Sequence, residues 1–130
     1  MKYFGTDGIR GIVGEIINKK LLTKVANAIV AYYSKHNLTP VLLIGNDTRA
    51  SSDFLLSTLE SILLKHGITT ENVGKCSSPC LAFLTKKYNY PLGLMLSASH
   101  NPKEYNGLKF FNCNGEKVSD EFEQEFENLM

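Results

Sequence analysis

The stretch that decides the fold is residues 91–111, PLGLMLSASHNPKEYNGLKFF. PLGLMLS is apolar on successive residues, the pattern of a strand buried on both faces, and GLKFF makes another strand after it. Between them serine, histidine, asparagine and proline stand side by side. Buried strands do not end in so many polar groups unless those groups serve a turn, a ligand or a reaction.

Working outward from that stretch, the same alternation continues in both directions. Toward the N-terminus lie a helix from about Pro79 to Lys87, a weak strand at Thr69–Val73, and a helix carrying Leu55, Leu56, Leu59, Ile62 and Leu63. Ser51 or Ser52 is positioned to cap that helix, and Gly67 to stop it. Further back, Val41–Ile44 is a short apolar strand, preceded by a helix with Asn18 as its N-cap and Leu21, Leu22, Val25, Ala28, Ile29 and Tyr32 at helical spacing. Toward the C-terminus, Asn114-Gly115 signals a turn, and Ser119 caps a helix with Phe122, Phe126 and Leu129 on one face. Four strands alternating with helices predict an α/β fold with a mixed, mostly parallel sheet, forming one domain over residues 1–130. The chain stops at Met130 with no capping glycine, which reads as a cut end.

In such sheets ligands bind beyond the carboxyl ends of the strands. Three polar clusters fall there: GNDTRASS after the first strand, CSSP after the second and SASHNP after the third. The formal net charge of +1 across 130 residues argues against attraction to nucleic acid or a membrane surface. Neither a signal-like start nor a membrane-length apolar run is visible, so cytoplasm is the expected location. Cys76, Cys80 and Cys113 complete no zinc pattern and read as reduced packing residues.

The candidate chemistry begins at Ser99 and His100. Neighbours in extended chain point opposite ways, so His100 is badly placed to serve as base for Ser99, and G-x-S-x-G is absent. Acyl transfer is therefore a weak reading. A serine on a rigid turn can instead carry a phosphoryl group, a reaction that needs positioning and positive charge. Lys109 alternates with Leu108 and Phe110 on the next strand, where from spacing alone a solvated lysine is the leading reading. The opening FGTDGIRGIVG matches no Rossmann or Walker pattern; Arg10 as a phosphate clamp and a tight bend under the sheet stand level. Asp47 and Arg49 read first as a pair that holds their loop, and only second as an anion site. His36 and His66 close helices. The carboxylates Asp7, Asp47 and Asp53 are scattered, and none of them gathers with others to hold magnesium unaided.

Taken together, YFGTDGIRG, GNDTRAS, MLSASHNP and NGLKFF resemble the α-D-phosphohexomutases, over nearly the whole chain from Tyr3 to VSDE at 118–121. Within that family the motifs look most like the bacterial phosphoglucosamine mutases; FGTDGIRG and SASHNP favour the amino sugar. The resemblance implies a three-layer α/β/α first domain whose Ser99 carries a phosphate. That phosphate passes to a hexosamine phosphate, giving a 1,6-bisphosphate, and the serine recovers phosphate from the other end. Glucosamine 6-phosphate and glucosamine 1-phosphate are thereby interconverted, on the route to UDP-N-acetylglucosamine. Arg10, His100 and Lys109 match the family's reaction-site positions, and one oxygen of the Ser99 phosphate is expected to bind Mg2+. Family members carry three further domains with an acidic metal loop, a sugar-reading loop and a phosphate-binding loop. None of these appears here, so the isolated chain is expected to be inactive. Covering domains left out would expose apolar surface, which allows a homo-oligomer of the chain. A glucose or mannose phosphate mutase is the near alternative. From other classes come a non-catalytic domain binding a phospholigand or partner chain, and a nucleic-acid clamp through GTDG, which the near-neutral charge opposes.

Overall fold

The computed structural model describes residues 2–98 and 101–130. Its elements run β1 (Ile9–Ile12), α1 (Lys19–Lys35), β2 (Val41–Asn46), α2 (Ser52–Lys65), β3 (Thr69–Lys75), α3 (Ser78–Lys87), β4 (Leu92–Leu96), β5 (Tyr105–Asn112) and α4 (Asp120–Leu129). The strands form one sheet in the order β1-β5-β4-β2-β3. β2 pairs in parallel with β3 and β4, whereas β5 is antiparallel to both β4 and β1.

The α/β class and the mixed sheet stand as expected, but the sheet has five strands where four were expected, and parallel pairs do not outnumber antiparallel ones. The added strand is β1, within the opening glycine-rich segment. IRGI is only four residues long and one of its residues is glycine, so neither length nor strand propensity announces it. It is recruited from outside: Ile9 sits opposite Leu108 and Ile12 opposite Tyr105, and Ile9 is buried in the core.

The two faces of the sheet hold separate apolar clusters. On one side Leu42, Ile44, Leu94, Leu96, Leu108 and Phe110 meet α1, α2 and α4. On the other, Leu43, Met95 and Phe111 meet Leu81 and Ala82 of α3. The result is a three-layer α/β/α sandwich, and β2 and β4 read as unbroken apolar runs because both of their faces are covered. An aromatic cluster anchors α4: the Phe110 and Phe126 rings lie 5.0 Å apart, and Phe122 and Phe126 stack at 5.5 Å.

Three of the four helices have a side-chain N-cap: Asn18 and Ser119 as expected, and Ser77, which starts α3 a little ahead of the Pro79 expected. Asn18, Ser77 and Ser119 each accept a hydrogen bond from the amide three residues on. The exception is α2. Ser51 occupies the cap position, yet it is in helical conformation and its hydroxyl makes no cap bond. It serves the neighbouring strand instead, as described below.

Candidate functional site at the β4–β5 loop

The loop from Ser97 to Glu104 leaves the carboxyl end of β4 and returns as β5. Ser99 and His100 lie outside the described residues, so the site is defined by what surrounds them. Ser97 N–H donates to the Gly107 carbonyl at 3.0 Å, which carries the sheet ladder one residue beyond β4. Asn101 N–H donates to the Ala98 carbonyl at 3.0 Å, and Tyr105 N–H to the Pro102 carbonyl at 3.0 Å. The last of these bonds closes a turn over 102–105, directly after the Asn101-Pro102 pair.

Arg49 holds this loop from the side. Its Nη1 donates to the carbonyls of Pro102 (2.7 Å) and Tyr105 (3.1 Å), and its Nη2 to that of Asn101 (2.9 Å). Nε donates to Asp47 Oδ2 at 3.2 Å, while Asp47 Oδ1 accepts the Arg49 amide at 3.1 Å. The pairing read from GNDTRASS is present, but Arg49 does more than close its own loop. A guanidinium offers five donors in a rigid plane, and here the described bonds spread them over four acceptors. Spacing gave no sign of this, because the carbonyls lie more than fifty residues away.

Asn106 is the second residue missed by sequence reasoning. It is completely buried, and its Nδ2 donates to both hydroxyls at the start of α2, Ser51 at 2.9 Å and Ser52 at 3.1 Å. Its Oδ1 accepts the Gly107 amide at 2.8 Å. The serines of GNDTRASS are thus turned toward β5, which explains why neither caps α2.

Arg10 reaches the loop from β1, and Lys109 stands on the same side of the sheet in β5. Leu108 and Phe110 face the α1/α2/α4 cluster, so Gly107, Lys109 and Phe111 face the other way. Arg10 is the register partner of Gly107 and shares that side. Gly107 is needed there: a Cβ would lie 2.8 Å from Arg10 Cγ and 2.7 Å from the Ser97 carbonyl oxygen. Arg10 lies across this bare backbone, and its Nη1 donates to Asn101 Oδ1 at 3.0 Å, two residues from Ser99. Lys109 Nζ lies 5.6 Å from the Phe111 ring centroid, at cation–π range. Beside Arg10 opens a cleft of about 340 Å³ lined by Tyr3, Thr6, Asp7, Gly8, Arg10 and Asn101.

The opening segment therefore matches neither of its two sequence readings alone. Gly5 N–H donates to the Gly8 carbonyl at 2.9 Å, closing a turn, and the chain then enters β1 at the sheet edge with Arg10 directed to the loop. His36 and His66 lie elsewhere, at the ends of α1 and α2. Among the described residues no three His, Cys, Asp or Glu side chains gather as a metal-binding group. The described residues by themselves do not fit the Mg2+ that the resemblance implies.

Over residues 1–130 the chain matches the family model for phosphoglucomutase/phosphomannomutase, alpha/beta/alpha domain I. It belongs to that family. A phosphoglucosamine mutase of Clostridium botulinum (strain Loch Maree / Type A3) is 43% identical over 129 residues, 99% of this chain and 29% of the relative. One from Dictyoglomus thermophilum is 46% identical over 130 residues, 99% of this chain and 28% of the relative. Among solved structures, a Thermus thermophilus protein described as a phosphomannomutase superposes with a TM-score of 0.89 at 29% identity, over 97% of this chain and 29% of that one. The chain therefore spans less than a third of the length of these relatives. As a family domain I it is an α/β/α unit whose β4–β5 loop is braced by Arg49 and approached by Arg10. No described helix is long and apolar enough to cross a membrane.

Proposed function

We propose that this chain is the phosphoserine-bearing first domain of a cytoplasmic phosphoglucosamine mutase, followed in the whole protein by three further domains. The observation that carries the reading is the bond from Arg10 to Asn101, which joins the opening motif to the loop of Ser99 across ninety-one positions. A phosphoryl group needs a fixed attachment point and nearby positive charge, and Arg10 and Lys109 supply two cations on the side of the sheet that Gly107 leaves open.

In this reading the phosphorus of phosphorylated Ser99 is attacked by a free hydroxyl of the sugar phosphate. A bond forms between phosphorus and the sugar oxygen, the bond to the Ser99 oxygen breaks, and the hydroxyl's proton passes to a basic group as the serine oxygen regains one. The bisphosphate then turns over and returns its other phosphate to Ser99 by the reverse exchange. Arg10 orients phosphate through its planar donors, Lys109 offsets charge as a point cation, and His100 contacts the phosphate. The named relatives are phosphoglucosamine mutases, which favours glucosamine phosphate as substrate.

The test uses the whole protein, assayed in both directions with glucosamine and glucose phosphates, alongside its Ser99→Ala variant. We expect greater efficiency on the amino sugar, bisphosphate-dependent turnover, and loss of activity on removing Ser99. Higher efficiency on glucose 1-phosphate would remove the substrate assignment, and turnover that survives Ser99→Ala would remove the phosphoserine.

A further inference from the structure

Glu127, in the last turn of α4, is the acceptor for three successive main-chain amides. Its Oε2 accepts from Lys2 at 2.8 Å, and its Oε1 accepts from Tyr3 at 2.8 Å and Phe4 at 2.7 Å. Although burial alone would raise its pKa, the bonds from these amides, helped by the charge of the chain's N-terminus, hold the carboxyl below its ordinary value. Hydrogen bonds to an ionised acceptor are about twice as strong as neutral ones, and three converge here on one carboxylate.

The segment it holds leads straight to Arg10. Phe4 is buried against Phe110 and Phe126, with ring centroids 6.2 and 6.0 Å away. Gly5 then closes the turn onto Gly8, whose φ of +89° and tight seat against Leu108 leave that turn little freedom. Two residues later Arg10 reaches Asn101. Every link from Glu127 to the guanidinium is a hydrogen bond, a buried ring or a constrained turn.

We propose that Glu127 is a positioning residue that fixes Lys2–Phe4 and thereby places Arg10, tying the last helix of this domain to the loop of Ser99. The assignment rests on the reading of Arg10 as a site residue. Glu127→Gln keeps the shape but turns a donor toward main-chain donors, so at least one amide loses its acceptor. Glu127→Asp keeps the charge and shortens the reach.

Two measurements test this. In nitrogen-15 spectra of the 130-residue chain, Glu127→Gln should shift the Tyr3 and Phe4 amides and the Arg10 Nε–H, leaving core amides such as Leu94 in place. An unmoved Arg10 resonance overturns the proposal. In the whole enzyme, Glu127→Gln should lower kcat/KM about tenfold or more, but should cost nothing further once Arg10 is alanine. An equal loss in both backgrounds also overturns it, because a general structural role would be blind to Arg10. Should Glu127→Gln unfold, Glu127→Asp carries both measurements. A wild-type enzyme without mutase activity would defeat the functional reading alone, and the spectra would still decide the role of Glu127.

Discussion

Arg49 buries its guanidinium against main-chain carbonyls, with only 10% of its side chain exposed. Arg49→Ala would leave the carbonyls of Asn101, Pro102 and Tyr105 short of donors and would remove the donor to Asp47 Oδ2, while the bond from the residue-49 amide to Oδ1 stays. Hydrogen bonds to a charged group contribute about 1.5–3 kcal/mol each in favourable cases, so a net loss of about 2–4 kcal/mol is expected. Arg49→Lys should recover only part of it, since an ammonium cannot span the same acceptors. Urea unfolding measures both, and equal stability of wild type and alanine variant would refute the clamp. Gly8 is a second case decided at one residue. Its φ is +89°, and a Cβ would stand 2.3 Å from the Leu108 carbonyl oxygen. Gly8→Ala should destabilise by more than about 1 kcal/mol and displace Arg10. A thermal melt with an unchanged midpoint would show that the turn can relax. Arg49, its neighbour Asp47 and Gly8 could be noticed in the sequence, but the carbonyls that Arg49 holds and the seat of Gly8 against Leu108 could not, because those contacts span dozens of positions.

At the scale of elements, α1 is joined to the sheet by Tyr33, which is 3% exposed and donates its hydroxyl to the Val41 carbonyl at 2.9 Å. Burial, helped by the neighbouring Tyr32, raises its phenol far above the usual range. A group whose folded pKa is raised contributes stability that is complete below its unfolded pKa, about 10 for tyrosine, and is lost as pH rises toward the folded value. Stability should therefore fall above about pH 10, and Tyr33→Phe should flatten that fall while costing about 1 kcal/mol at neutral pH. Tyr90, pushed up to about 12 chiefly by its hydrogen bond to Glu71, leaves a residual slope in that variant. An alkaline denaturation series distinguishes these outcomes, and an unaltered slope would mean that Tyr33 does not titrate on unfolding. Helix periodicity placed Tyr32 on the inner stripe of α1, whereas Tyr33 is the tyrosine buried to 3%. The geometry of the α1–β2 connection made that choice.

For the whole molecule, the decisive prediction concerns what the domain does by itself. The described residues supply a loop braced by Arg49 and touched by Arg10, but no group of three His, Cys, Asp or Glu that could hold a metal. The 130-residue chain should therefore show no mutase turnover in a coupled assay with glucosamine 1-phosphate and bisphosphate. Turnover at a rate normal for enzymes would mean that this domain is sufficient. Exposed Phe54, Leu64, Phe83 and Tyr88 lie on the outer surfaces of α2 and α3 and their flanks, where single apolar residues are common on any protein.

By itself the sequence determined the elements whose signals are local. Apolar runs marked β2 and β4, amphipathic spacing marked α1 and α4, and Asn18 and Ser119 marked helix starts, because periodicity and capping act over three or four residues. Its motifs also carried the family. Tertiary structure decided the rest. The fifth strand exists because β5 offers IRGI an edge to pair with, and its own residues scarcely favour a strand. Ser51 and Ser52 turn from capping to Asn106 because α2 starts beside β5. Arg49, Glu127 and the meeting of Arg10 with Asn101 depend on bonds between positions 49 and 105, 2 and 127, 10 and 101. Hydrogen bonds need approach within about 3 Å, and for residues so far apart in the chain only the packed fold provides it.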